Sequence, residues 1–377
     1  MPKYFLIAMG ALLSLALLAG CSKAPEPGAT ADTIRIGLAG VQTGNDAALG
    51  ISMLNGSVIA IDEWNARGGV LGKKIESFSV DDEGNSEKAV NVASDLVSKK
   101  VVAVLGHFNS GCTIPAMTVY RDNNIVQITP GSTNPKVTQS GIKTLFRMVG
   151  LDSDQAQVNV DYLYDKLGIR KLAVIHNSTS WGEGIATEAR DRWIKKGGEV
   201  VDFAGISEKD FDFNANIAVF KSKGAEAVYG GLMFAQSGPL VNKMRQEKLN
   251  IPFCSGDGSF DPEFIKAAGD NPVNVFLTFG PDLSANADAQ RFFANYKTRF
   301  GKEPGPYSIY GYEAANVLLR AIEKAGTTDA AKVAEVLHAE TFKTSQGDIA
   351  FDEKGDLRKS LFVIWTVKDK KFVVVQP

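Results

Sequence analysis

VVAVLGHFNSGCTIPAMTVYRDNNIVQITPGST, residues 101–133, carries two short apolar runs separated by one helix-length segment. Val101–Gly106 and Ile125–Pro130 are continuous and largely aliphatic, as strands buried on both faces of a parallel sheet must be. Thr113–Asn123 between them predicts a helix. Two strands joined by a helical crossover form a right-handed βαβ unit, because parallel neighbours cannot be linked by a tight turn. This one stretch therefore points to an α/β fold.

The alternation extends outward on both sides. Upstream, Thr33–Gly40 and Ile75–Asp81 read as strands. Ala48–Arg67 and Ser86–Lys99 read as helices, the first stopped by Gly68-Gly69 and the second with Ala89, Ala93, Leu96 and Val97 on one face. Downstream, a second series begins after residues 146–150. It predicts helices at Gln155–Leu167, Gly184–Lys196, Ala215–Lys223 and Gly238–Lys248. Strands are predicted at Lys171–His176, Glu199–Gly205, Ala227–Gly231, Ile251–Ser255 and Val275–Phe279. Two parallel, helix-covered sheets follow. From Ala287 to Leu337 the rhythm breaks into three successive helices, at Arg291–Phe300, Tyr310–Ala325 and Ala330–Leu337. Gly347–Asp356 and Leu361–Val375 then alternate like hairpins, with a turn at residues 353–356.

In such a fold ligands bind beyond the carboxyl ends of the strands. Ser110 follows one of these ends and Gly131, Ser132 and Thr133 follow its neighbour. Hydroxyls beside the free amides of a helix start suit a carboxylate, although both could be ordinary helix caps. In the second half Trp181 sits at a loop tip after Lys171–His176, and Asp257 stands between two glycines after Ile251–Ser255. Asp257 could hold an ammonium and Trp181 could cover an apolar side chain, or they could be a turn residue and a core edge. Together, an anion site on one half and a cation site on the other describe a cleft for a zwitterion.

The amino terminus has its own logic. Lys3 precedes an apolar run from Tyr4 to Leu18, then Ala19-Gly20-Cys21. This is a secretory signal over residues 1–20, too short to be a comfortable permanent span. Leu18-Ala19-Gly20-Cys21 resembles the lipobox of bacterial lipoproteins, which implies lipidation of Cys21. Residues 21–31, with Pro25, Pro27 and Gly28, read as a tether. The mature chain is expected in the periplasm or cell envelope, anchored to the membrane by lipid. Loss of Lys3, the one charge in residues 1–20, moves the formal charge from −2 to −3. A chain so near neutrality has no electrostatic reason to bind nucleic acid. About 345 residues follow the tether, enough for two ordinary domains.

Chemistry-bearing side chains are few. His107, His176 and His338 form no pair at metal-ligand spacing, and no nucleophile elbow or phosphate loop is present. His107 and His176 read as hydrogen-bonded structural residues. Cys112 and Cys254 are expected on opposite halves, facing the cleft, as free thiols. No enzyme, cofactor or metal is expected.

Several segments in order give a resemblance: Gly56 to Gly69, Val80-Asp81-Asp82, Gly106 to Ala116, Ile128 to Pro135, Gly150 to Gln155, Trp181-Gly182-Glu183-Gly184 and Asp352 to Asp356. Over about residues 33–365 the chain resembles the periplasmic leucine/isoleucine/valine-binding proteins that feed ABC importers. That resemblance implies a type I periplasmic binding fold, α/β, with two Rossmann-like lobes on parallel-core sheets joined by three hinge strands. It implies an N-terminal lobe of residues 32–150 plus 281–361 and a C-terminal lobe of 151–280 plus 362–377. It places Ser110 and Thr133 on the ligand carboxylate, and Gly131, Thr133 and Asp257 on the amino group. Leu49, Trp181, Met233, Phe234 and Tyr307 would line the side-chain pocket, Leu49 standing where an aromatic is common. Gly84 and Asn109 stand where the family carries a disulfide. The implied cargo is an amino acid, aliphatic or branched-chain, delivered by a monomer to a membrane permease. The alternatives are a non-amino-acid cargo such as an aromatic acid or amide, or a ligand sensor for a receptor.

Overall fold

The computed structural model describes residues 33–269, 272–360 and 362–375. The expected signal sequence, Cys21 and the expected tether lie outside the described residues.

The first half alternates as the hydrophobic runs require. Its elements are β1 (Ile34–Gly40), α1 (Ala47–Ala66), β2 (Ile75–Asp81), α2 (Ser86–Ser98), β3 (Ala103–Leu105), α3 (Ser110–Asp122), β4 (Val126–Thr129), α4 (Lys136–Gln139) and β5 (Leu145–Arg147). The strands form one all-parallel sheet in the order β2-β1-β3-β4-β5. The second half contains α5 (Asp152–Asp161), prolonged by a π turn at Tyr162–Lys166, then β6 (Lys171–His176), α6 (Ser180–Lys195), β7 (Glu199–Gly205), α7 (Asn214–Ser222), β8 (Ala227–Gly231), α8 (Phe234–Gln246), β9 (Phe253–Ser255), α9 (Pro262–Ala267) and β10 (Val275–Phe279). These strands are parallel in the order β7-β6-β8-β9-β10, the same winding as the first sheet.

Three helices follow, α10 (Ala287–Phe300), α11 (Ser308–Ala325) and α12 (Ala330–Ala339), then strands β11 (Thr341–Thr344), β12 (Gly347–Ala350), β13 (Val363–Lys368) and β14 (Lys371–Val374). β11 and β12 make a separate hairpin. β13 pairs antiparallel with β10 and carries β14, so the last strands complete the second sheet. The chain therefore passes between the two sheets three times, near residues 150, 281 and 361.

α11 returns to the first half and packs on α1. Gly56 and Gly311 are what let the two backbones meet: a Cβ at Gly56 would lie 1.8 Å from the Ser308 carbonyl oxygen, and one at Gly311 1.9 Å from that of Met53. Ser57 Oγ donates to the Gly311 carbonyl at 2.9 Å. A Gly311→Ala variant must push rigid helix backbones apart and is expected to lose about 1–3 kcal/mol of stability, read from the urea midpoint.

Several sequence expectations need correction. α3, α6 and α8 begin three to four residues earlier than predicted. Their first turns carry polar, glycine or isolated aromatic residues rather than a periodic apolar stripe. The strand expected at Val101–Gly106 is only three residues long, as is β5, which the reading missed. α4 and α9 were missed too. The turn at 352–356 exists, closed by the Asp352 amide on the Asp356 carbonyl, yet the neighbouring hairpin is β11–β12, whose turn lies at 345–346.

Candidate functional site

Both sheets reverse strand order between their first and third strands, and their carboxyl ends supply the loops that meet between the halves. In the first half Ser110 is the first residue of α3 rather than its cap. Asn109 holds the cap position and makes no side-chain capping bond. The Ser110 hydroxyl accepts the Asn134 amide at 3.2 Å, which leaves its own proton to donate. The loop after β4 is laced to the loop after β3. Thr129 Oγ1 accepts the Ser132 amide at 3.0 Å and donates to the His107 carbonyl at 2.7 Å. Arg147, fully buried at the end of β5, clamps this loop from behind. Its Nη1 donates to the carbonyls of Ser132 (2.8 Å) and Asn134 (3.0 Å), Nη2 to Thr138 Oγ1 (2.6 Å) and Nε to Asp356 Oδ1 (2.8 Å). Thr133 is held between two anchored carbonyls.

In the second half Thr179 caps α6 by accepting the Gly182 amide at 3.0 Å. Trp181 therefore lies in a helical first turn, 4% exposed, and not at a loop tip. Asp257 opens a 3₁₀ turn, and its amide donates to Gln155 Oε1 at 2.8 Å. The glycine after it is needed for close approach. A Cβ at Gly258 would sit 2.5 Å from Met233 Sδ and 2.6 Å from Trp181 Cη2.

These pieces close around a narrow cavity of about 10 Å³. Phe108, Asn109, Ser110 and Gly131 line it from the first half, Trp181, Met233, Asp257 and Gly258 from the second, and Tyr307 from the entry to α11. Tyr307 stands edge-on to Phe108 with ring centroids 4.8 Å apart. Thr133 is fully buried beside this wall. Its Oγ1 faces the Asp152 carboxyl without forming a well-aligned hydrogen bond, and Asp257 Oδ2 likewise has no partner. Burial raises the Asp257 pKa to about 6, against hydrogen bonding from Gln155 and Tyr307, so the group is mostly ionised at neutral pH. The halves touch across the cleft where Asn134 Nδ2 donates to the Ser180 carbonyl at 2.7 Å.

Of the residues expected in the site, Ser110, Gly131, Trp181, Met233, Asp257 and Tyr307 share the cavity wall. Leu49 and Phe234 do not line it; both are packed in the hydrophobic core. Phe108, Asn109 and Gly258 line it without having been chosen, although each adjoins a chosen position. His107 is buried between Asp82 Oδ2 (2.6 Å) and the Tyr120 hydroxyl (2.9 Å). His176 Nδ1 accepts the Ser178 amide. Cys112 and Cys254 are free, but each is buried in a core and does not face the cleft. Among the described residues no group of His, Cys, Asp or Glu is arranged to hold a metal ion.

The cleft mouth is acidic, with Asp46 and Glu83 on one side and Glu208 and Lys209 on the other. Burial raises the Asp46 pKa to about 6, and Glu208 across the mouth adds to the rise, while the hydrogen bond from Asn109 Nδ2 (3.2 Å) opposes it. A carboxyl with a raised folded pKa binds its proton more tightly when folded. Stability is then full below about pH 4 and falls as pH climbs to about 6. Asp46→Asn is expected to stabilise the protein by up to about 2 kcal/mol at pH 7, with no difference near pH 4, in thermal unfolding at both pH values. Gly84 and Asn109, at the positions where the family carries a disulfide, are neighbours here, a Cβ at Gly84 falling 3.7 Å from Asn109 Oδ1.

The model of a family described as periplasmic binding protein matches residues 33–370. The chain is 39% identical over 345 residues to an amino acid binding protein of Pseudomonas aeruginosa, covering 91% of this chain and 92% of that one. It is 37% identical over 336 residues to Leu/Ile/Val-binding protein homolog 1 of Brucella abortus, covering 88% and 90%. Among solved structures it superposes on the leucine-binding protein LivK of Thermotoga maritima with a TM-score of 0.83 at 28% identity, covering 91% and 98%. It superposes on LivJ of Streptococcus pneumoniae, solved with isoleucine, with a TM-score of 0.81 at 26% identity, covering 92% and 100%. A benzoate-bound solute-binding protein from R. palustris shares the fold at 21% identity and a TM-score of 0.80. With two identically wound sheets, a cavity between them and matches along nearly its whole described length, the chain belongs to the periplasmic binding protein family and has its type I fold.

Proposed function

We propose that this protein is the solute-binding component of an ABC importer and captures an aliphatic or branched-chain amino acid between its halves. One observation carries the reading: Asp257 Oδ2 is buried without a partner at the cavity wall of one half, and Thr133 Oγ1 is buried without a partner in the loop that brings Gly131 to that wall from the other. A buried polar atom without a partner costs about 1–3 kcal/mol, which a zwitterionic head group would offset at both ends.

The ligand carboxylate would take the Ser110 hydroxyl, the Thr133 hydroxyl and the first amides of α3, where the helix dipole favours negative charge. The ammonium would donate to the Gly131 carbonyl, Thr133 Oγ1 and Asp257. Phe108, Trp181, Met233 and Tyr307 would surround the side chain. Binding starts on the Ser110 face and the Trp181 and Asp257 face closes over it. Flexing of the three crossovers permits this, and exclusion of water strengthens both charge pairings. Relatives named for leucine, isoleucine and valine support the aliphatic preference. The closed form would be read by a membrane permease, with the chain held at the membrane through lipidated Cys21.

The test is calorimetry on residues 22–377, unfolded and refolded to remove carried-over ligand, against the twenty amino acids and against benzoate. One-to-one binding of an aliphatic amino acid supports the proposal. Heat from benzoate with none from any amino acid overturns it.

A further inference from the structure

Asp152 has no role in the head-group site as described so far. It is the first residue of α5, fully buried, and neither of its carboxyl oxygens has a hydrogen-bond partner. Its amide donates to the Thr133 carbonyl at 2.9 Å, and the Thr133 hydroxyl faces its carboxyl. The charge of Asp257 reaches it directly and opposes its ionisation. Gln155, three residues on from Asp152 in α5, reaches Asp257: its Oε1 accepts the Asp257 amide and the Thr278 hydroxyl, both at 2.8 Å. Three buried carboxyl oxygens from two elements thus lack hydrogen-bond partners.

No cation in the surroundings satisfies them. Arg147 is the nearby positive charge, yet its three nitrogens are committed to Asp356, Thr138, Ser132 and Asn134. The other titratable groups facing the pair are Glu188 on α6, Tyr229 on β8, Tyr307 and Tyr310 at α11, with Asp154 beyond Arg147. Burial keeps the three tyrosines neutral, and the two acids add only negative charge. Two carboxylates in one dry site, without a counter-ion, cannot both be charged.

Resting on the amino-acid reading above, we propose that Asp152 is a second acidic wall of the ammonium site, and that the Asp152–Asp257 pair holds one proton which the ligand's ammonium displaces to solvent. The balance is simple. The pair carries one negative charge and one proton before binding. Afterwards it carries two negative charges flanking one ammonium, and one proton has left. The device makes capture proton-linked and selects a cationic amine over a neutral isostere. Desolvation pushes the Asp152 pKa well above the usual carboxylate value, in the direction this requires.

The experiment is calorimetry of ligand-stripped residues 22–377 at pH 7 in phosphate and in Tris, whose ionisation enthalpies differ. The probe is L-leucine, or the tightest binder of the twenty. About one proton released per ligand is expected, with affinity rising up to about tenfold per pH unit while the proton is held. Asp152→Asn should bind about tenfold more weakly with the same heat in both buffers, whereas Asp46→Asn should still release the proton. Buffer-independent heat in the wild type overturns the inference without needing any variant, as does proton release that survives in Asp152→Asn. Failure of every amino acid to bind would instead overturn the function itself.

Discussion

Replacing Arg147 with methionine is expected to lower the unfolding free energy by about 3–5 kcal/mol, because it strips the partner from a largely buried carboxylate. Arg147 is fully buried, and its side chain makes four hydrogen bonds at once, to Asp356, Thr138 and the carbonyls of Ser132 and Asn134 on either side of Thr133, with Asp152 within electrostatic reach. Methionine matches the stem but offers none of the donors. Chemical denaturation reads the loss as a lower midpoint at unchanged slope. Calorimetry should read a second loss, because the loop that presents Thr133 is no longer fixed. Lysine is expected to fall between the two, keeping charge while losing the planar fork. A methionine variant within about 1 kcal/mol of wild type would show that the network does not hold the loop.

Asp257→Ala should weaken amino-acid binding by about 2–5 kcal/mol, at least some thirtyfold in Kd, since an ammonium is then buried without its counter-ion. Asparagine keeps the shape and loses the charge, and about 1.5–3 kcal/mol is expected there. Folding should be little affected in either variant, because burial already works against the ionised form of Asp257. The telling comparison is benzoate, which has no ammonium. A variant that loses leucine but gains no benzoate affinity fits the zwitterion site. Loss of only a few fold for leucine would remove Asp257 from it.

The fold was legible because its strands are written as unbroken apolar runs. IRIGLAG, KLAVIH and VFLTF each fall within a strand, and the glycine pairs after α1 and α6 mark where those helices stop. The helix starts were not legible, and these are where the site lies. Ser110, Ser180 and Phe234 open α3, α6 and α8 in first turns that break the apolar period, so nothing in the pattern announces them. β5 was hidden by its brevity and by Arg147, a charge that a buried strand should exclude unless the fold supplies acceptors from distant residues such as Asp356. The proposed head-group positions were read from local loop chemistry. Leu49 and Phe234 were misplaced because residue type alone cannot tell a pocket wall from the core behind it. Asp152 was passed over for the opposite reason: an acid at a helix start is the ordinary case, and only complete burial without a partner makes it unusual.

The three passages of the chain between the sheets also set the order in which the molecule can be assembled. The first half lacks its α11 partner until Ser308–Ala325 has been synthesised. The second sheet lacks two strands until Val363–Val374 has followed. On a nascent chain still short of its last few dozen residues, neither half has its full set of packing partners. Translocation across a membrane needs a chain that has not yet folded. A topology that leaves both halves incomplete until synthesis is nearly finished suits a chain bound for the far side of a membrane.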